Sequence, residues 1–281
     1  MGAEPGVNVL GVAVRTRASL GGGAVRAELA DGRTVVVKNA EESSLAAEAA
    51  GLRWLRMPEG TSVPAVLDVD PQRLVTEFVP RGSPDAGAAA AFGRSLAHLH
   101  GAGAPAFGAA PPGGPSAAWI GRAPMRNEPS PGWAEWFATD RVLPYLRAAS
   151  DAGELTGAEA AVVEQVCDRL PALAGPPEPP ARLHGDLWSG NVLWSPSGAW
   201  LIDPAAHGGH RETDLAMLAL FGCPHLDTVL RAYDEAAPLA TGWHERVPLH
   251  QLFPLLVHVV LFGRGYAGQA VAAARAALRL G

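Results

Sequence analysis

The chain reads as an α+β protein in two lobes, a small antiparallel-sheet lobe over residues 1–80 and a larger helical lobe over 81–281. Three observations carry that reading. Residues 11–79 hold β-branched segments and an Asp31-Gly32 hairpin signal. From Asp85 onward the apolar spacing is mainly helical. Between them Pro80–Pro84 breaks both patterns, as a linker does. A length of 281 residues suits one large domain or two lobes better than a single small core.

In the first lobe the expected strands are 11–18, 24–30, 34–38, 66–70 and 73–79, with a helix over 43–57 between the third and fourth. In the second, helices are expected near 86–100, 132–149, 156–170, 211–221, 226–237, 245–262 and 267–280. Short strands flank a polar loop within 182–202. Residues 104–132, rich in Gly, Pro and Ala, read as a long loop, and a loop of that length inside a compact domain is commonly functional.

Bulk properties narrow the function classes. The formal net charge of −6 argues against a dedicated nucleic-acid or anionic-membrane surface. Two distant cysteines, Cys167 and Cys223, make neither a disulfide framework nor a metal cluster, so a reducing cytoplasm is expected. Residues 1–9 lack the basic start of a signal peptide. The apolar run Pro254–Phe262 is too short to span a bilayer and contains His258, which reads as a hydrogen-bonded core histidine.

The densest polar cluster is His184-Gly185-Asp186-Leu187-Trp188-Ser189-Gly190-Asn191, followed by Leu201-Ile202-Asp203. Phosphoryl transfer from ATP needs a carboxylate to accept the hydroxyl proton and oxygen ligands for Mg²⁺. In kinase catalytic loops the Asp and Asn are five positions apart, as Asp186 and Asn191 are; Asp203, ending an apolar strand, stands where a second metal ligand belongs. A simple turn would use the same residue types. The upstream elements favour the chemical reading.

Lys38 ends a Val-rich strand and shares a face with Val36, which holds the place of the small residue against adenine in the kinase V-A-I-K pattern. In the next helix Leu45, Glu48, Leu52 and Leu55 fall on one stripe. A carboxylate on an apolar stripe needs a partner, and Lys38 is the obvious one. Gly21-Gly22-Gly23, between the first two strands, would let backbone N–H groups approach phosphates. Thr76-Glu77-Phe78-Val79 would supply a hinge, with the Glu77 carbonyl and Val79 N–H toward adenine. No G-x-x-x-x-G-K-[ST] occurs, which excludes a P-loop NTPase.

With these elements in order the chain resembles the fructosamine kinase (ketosamine-3-kinase) family, within the aminoglycoside-phosphotransferase-like and protein-kinase-like fold. The resemblance rests on the 184–191 cluster, on Ile202-Asp203-Pro204-Ala205, on Gly209-His210-Arg211-Glu212-Thr213-Asp214-Leu215, and on Leu220-Phe221-Gly222 and Leu261-Phe262-Gly263. It covers almost the whole chain. It implies a bilobal kinase fold, an ATP-binding first lobe, and phosphorylation of the sugar 3-hydroxyl of a ketosamine, free or protein-bound. Only the ten residues Pro204–Thr213 separate Asp203 from Asp214, too few for the peptide platform of a protein kinase.

Further expectations attach to single residues. His184 and Asp214 would support the catalytic loop, although Asp214 could instead be an N-terminal acid facing the helix dipole. Trp188 would stack on the sugar, or else lie as a lid on the helical core. His210 and Arg211 would touch substrate or phosphate. His98 and His100, near a helix end, read as structural or as partners of the C-terminal dipole, and Trp133, Trp136 and Phe137 as helix packing. Competing functions are a kinase for an aminoglycoside, choline or a thiosugar, and a nucleotide-binding pseudokinase scaffold.

Overall fold

The computed structural model describes residues 8–280. The chain starts as a six-stranded antiparallel sheet of β1 (Asn8–Val9), β2 (Val12–Gly21), β3 (Ala24–Leu29), β4 (Thr34–Lys38), β5 (Val66–Asp70) and β6 (Arg73–Glu77), in spatial order β1-β2-β3-β4-β6-β5. Helix α1 (Glu42–Leu55) crosses from β4 to β5. Alternation along β4 sorts its side chains. Val35 opposes Ala27, and both pack with Val9, Leu29 and Val75 in a small core on one face. Val36 and Lys38 stand on the other face.

The core that holds α1 does not stop at the sheet. Leu45, Leu52 and Leu55 join Leu74 of β6 in one cluster with Phe92, Leu96, Leu187, Trp194 and Leu215. The helix that carries Glu48 is therefore packed against the same core as the polar loop that carries Asp186.

The second part begins with α2 (Ala86–Gly101), whose N-terminus Asp85 caps by accepting from the Ala88 N–H at 2.7 Å. A hairpin follows, β7 (Ala117–Ile120) and β8 (Ala123–Arg126). Next come α3 (Trp133–Trp136), a π-helical stretch over Phe137–Val142, α4 (Leu143–Asp151) and α5 (Gly157–Leu173). The polar loop lies among β9 (Ala181–Leu183), β10 (Val192–Ser195), β11 (Gly198–Leu201) and β12 (His207–Gly209); β9 pairs with β12 and β10 with β11. Four helices close the chain: α6 (Arg211–Leu220), α7 (Leu226–Ala236), α8 (Trp243–Phe262) and α9 (Ala267–Ala277). The largest core joins α4, α5, α8 and α9 around Val142, Leu170, Phe253 and Ala274. Among the described residues no helix is long and apolar enough to cross a membrane.

Two expectations need correcting. Residues 104–132 are not all loop: Ala118, Ile120, Ala123 and Met125 alternate inward to form the β7–β8 hairpin, and Gly121 takes φ +57° at its two-residue turn. The high Gly and Pro content around it hid a strand pair only four residues long on each side. The helix expected over 132–149 is also not uniform, because Phe137–Val142 is π-helical.

Candidate active site

The polar loop is built from the backbone outward. Gly185 sits at φ +82°, and a Cβ there would lie 2.1 Å from the Ala205 carbonyl oxygen, so only glycine fits. His184 is fully buried; its Nε2 donates to the Ile202 carbonyl at 2.9 Å, and its Nδ1 accepts from the Asp186 N–H at 3.3 Å. Burial pulls its pKa below the ordinary histidine value, so it acts as a neutral brace. Asp214 of α6 anchors the loop from beneath: Oδ2 accepts from the His184 N–H at 2.7 Å, and Oδ1 from the Gly185 N–H at 3.0 Å. His100 of α2 reaches Oδ2 through Nε2 at 3.2 Å and is itself bonded through Nδ1 to the Tyr233 hydroxyl at 2.8 Å. Burial alone would raise the Asp214 pKa, but His100 and these hydrogen bonds outweigh it and leave it below the usual value.

Asp186 and Asn191 face each other across the loop. Asn191 Nδ2 donates to the Asp186 carbonyl at 2.8 Å and to its Oδ2 at 3.0 Å, which leaves Oδ1 as the Asn191 atom able to bind a cation. Burial pushes the Asp186 pKa up to about 7, with the carboxylates of Asp203 and Asp214 adding to the shift and Asn191 opposing it. Asp203 adopts φ +53°, the left-handed region that a non-glycine residue enters at a cost of about 1 kcal/mol or more. That turn leaves its carboxylate half exposed, with Lys38 Nζ donating to Oδ1 at 3.1 Å. Lys38 also donates to Glu48 Oε2 at 2.7 Å. Burial pulls the Lys38 pKa down, yet Glu48 and Asp203 more than reverse this, so its ammonium stays charged.

Lys38, Glu48, Asp186, Asn191 and Asp203 line one cleft of about 960 Å³, together with Gly22 and Trp188. Gly21, Gly22 and Gly23 all take positive φ in the β2–β3 turn. Trp188 is 39 % exposed and lies flat over Gly190, where a Cβ would meet its ring at 2.1 Å. Val36 shares the Lys38 face, between Arg26 and Thr76, but does not line this cleft. Neither do Glu77, which bonds Ala65 through both N–H and Oε2, nor the buried Val79.

The structure also keeps His210 and Arg211 away from the cleft, against the expectation of substrate contact. His210 is buried at the N-terminus of α6, where Nδ1 accepts from the Glu212 N–H at 3.3 Å, and its ring packs beside Trp133 and His250. Arg211 is tied to Glu178 by two bonds of 2.7 and 2.8 Å and to the Ala237 and Pro238 carbonyls. Both side chains are committed elsewhere.

Several contributors were given no place at the site by the sequence, although His100 read as structural. His100 and Tyr233 hold Asp214 from 114 residues before it and from the following helix; no local pattern links them. His258 is not enclosed in the core: it lines the cleft, with Nδ1 donating to the Pro254 carbonyl at 2.7 Å. The hairpin residues Trp119, Arg122 and Asn127 line it as well.

A small sheet lobe with a buried Lys–Glu pair, set over a helical lobe with an Asp/Asn loop, has the architecture of the bilobal kinases. Among solved structures an aminoglycoside phosphotransferase variant shares that fold with a TM-score of 0.60 at 18 % identity, covering 93 % of this chain and 94 % of its own. A Thermobifida fusca protein assigned as a fructosamine-3-kinase superposes with a TM-score of 0.90 at 52 % identity, over 96 % of this chain and 95 % of that one. The protein of Klebsiella aerogenes named probable ketoamine kinase is 35 % identical over 237 residues, 83 % of this chain and 78 % of the relative. The family profile for fructosamine kinase matches residues 9–279. The chain belongs to the fructosamine kinase family, a family of ATP-using phosphotransferases.

Proposed function

We propose that the protein transfers the γ-phosphoryl group of ATP to the sugar 3-hydroxyl of a ketosamine, with residues 1–80 serving the nucleotide and 81–281 the acceptor. The observation that carries this reading is the meeting of Lys38, Asp186, Asn191 and Asp203 in one cleft with Trp188 at its side. Asp186 accepts the proton as the acceptor oxygen forms its bond to phosphorus and ADP departs. The side-chain bond from Asn191 holds Oδ2 and leaves Oδ1 for the hydroxyl. Lys38, fixed by Glu48, orients the phosphates, and the glycine turn covers them with backbone N–H groups.

Mg²⁺ fits the donor set, since the Asn191 amide oxygen and the half-exposed Asp203 carboxylate are hard oxygen ligands beside Lys38. When bound it would neutralise charge on the phosphate oxygens. His184 and Asp214 position Asp186 and do not touch the reacting atoms. Trp188 offers its open face to the sugar.

The test is ATP turnover against ketosamines, aminoglycosides and choline in one assay. Mg²⁺-dependent phosphorylation of ketosamines is expected. Turnover of choline or an aminoglycoside alone would move the substrate and leave the phosphotransferase reading in place. Nucleotide binding without transfer to any acceptor would favour a pseudokinase.

A further inference from the structure

The cleft that holds the phosphoryl-transfer groups is also walled by aromatic rings. Phe262 is 58 % exposed, and Trp188 and Phe221 are exposed as well. They belong to one continuous group: Phe221 stands edge-on to Trp188 at 6.3 Å and 4.9 Å from the His258 ring, and His258 is 5.4 Å from Phe262. Tyr266 backs the group, 5.0 Å from His258 and 6.0 Å from Phe262. Trp188, His258, Leu261 and Phe262 face the cleft. A contiguous apolar surface left in water beside a reaction site marks a place where a ligand lies.

One charge borders this wall. The turn of the β7–β8 hairpin places Gly121 against Leu261, where a Cβ would be 3.4 Å from Cδ1. The next residue is Arg122, exposed and lining the same cleft. Among the described residues Arg122 makes no ion pair. Its hairpin is anchored: the Tyr145 hydroxyl donates to the Pro124 carbonyl at 2.8 Å, and buried Arg141 donates to Asn127 Oδ1 at 2.8 Å and to the Arg126 carbonyl at 2.7 Å. A guanidinium with a free fork, on a rigid turn beside an aromatic wall, fits a carboxylate attached to an apolar group.

We propose that this aromatic wall of the cleft binds the amine part of the ketosamine and selects adducts of α-amino acids with apolar side chains, the α-carboxylate pairing with Arg122 and the side chain lying on Phe262 and His258. The inference rests on the ketosamine reading above. The adduct of a simple amine would leave Arg122 unused. An adduct on a lysine ε-nitrogen would carry an alkyl chain past the wall with its own carboxylate several bonds further out.

The measurement uses fructose adducts that share one sugar and differ in the amine. Phenylalanine and phenethylamine adducts differ only by the carboxylate, and a glycine adduct keeps the carboxylate without the ring. The wild-type kcat/KM for the phenylalanine adduct should exceed that for the phenethylamine adduct by about tenfold, mostly in KM, the worth of one charge-assisted pair. Arg122→Gln should collapse that ratio, and Phe262→Ala should lower the phenylalanine-to-glycine ratio. Both side chains are exposed, so melting curves near wild type should show that the variants fold. Equal kcat/KM for all three adducts, or a phenylalanine-to-phenethylamine ratio that survives Arg122→Gln, overturns this inference and leaves the ketosamine reading standing. Phosphorylation of no ketosamine at all overturns both.

Discussion

Helix α6 carries two buried carboxylates two residues apart, Glu212 and Asp214, and they are put to different uses. Two residues are about 200° around a helix, so the side chains leave on opposite sides. Asp214 accepts from the backbone of His184 and Gly185, and through them sets the loop that carries Asp186. Glu212 accepts from Arg246 of α8 at 2.6 and 2.9 Å and lies 3.3 Å from His250 Nε2. His210, Glu212 and His250 bring metal-binding residue types within 4.8 Å, but Arg246 already occupies both Glu212 oxygens. A buried carboxylate takes its role from what its donors are attached to. Asp214 holds the loop that carries Asp186, while Glu212 fastens one helix to another.

The contrast is sharpest beside a purely chemical loss. Asp186→Asn removes the proposed proton acceptor and leaves the fold alone, so kcat should fall by about 10² to 10⁴. Its melting temperature should not drop, because a half-buried carboxylate whose pKa is raised by burial is replaced by a neutral group of the same shape. Retention of most of kcat would remove Asp186 from the mechanism.

Asp214→Ala should lose both rate and stability. It strands the His184 and Gly185 N–H groups and the His100 donor in the interior, at a cost of about 3 kcal/mol. Urea unfolding gives the stability, and kcat measured where the variant is still folded gives the effect on the loop. A folded variant with unchanged kcat would put Asp214 in the same class as Glu212.

Glu212→Gln should cost stability alone, about 3 kcal/mol, because Arg246 keeps a buried charge without its partner. This loss should depend on pH. Burial tends to raise the Glu212 pKa, but His250 and Arg246 bring it down to about 2, below the usual 4.5. Such a group stabilises the fold fully above its unfolded pKa, and that contribution is lost as pH falls through the folded value. The difference in unfolding free energy between wild type and variant should therefore be complete at pH 6 and should shrink below about pH 4.5. A folded variant with kcat reduced as far as in Asp214→Ala would break the distinction.

How far these roles were legible depended on the range of the contacts. The β4 strand, α1 with its Glu48 stripe, and the spacing of Asp186, Asn191 and Asp203 follow from local periodicity, and the structure has Lys38 donating to Glu48 and to Asp203. The run His210-Arg211-Glu212-Thr213-Asp214 could not be divided by pattern, because each residue is polar and the partners that hold Arg211, Glu212, Thr213 and Asp214 are distant in the chain. His100, on α2, has no local feature to distinguish it from exposed His98. The β7–β8 hairpin was masked for another reason: its strands are short, and the Gly and Pro residues around them read as loop.

The smallest expected effect falls on Arg211, whose place beside the family-like loop suggested substrate contact. Its guanidinium donates to both Glu178 oxygens and to two carbonyls at the end of α7, and the Glu178 bonds raise its pKa above the usual arginine value. Arg211→Gln should cost about 1 to 2 kcal/mol, less than the fully buried pair at Glu212, since Arg211 and Glu178 keep 18 % and 11 % of their side-chain surface in water. KM for ATP and for the acceptor should stay at wild-type values in steady-state assays of the folded variant. A rise in acceptor KM with unchanged thermal stability would place Arg211 in the substrate path and would require α6 to present its first turn to the cleft during turnover. A stability loss with unchanged KM would set Arg211 beside Glu212, as a residue that holds α6 in place so that Asp214 can hold the loop.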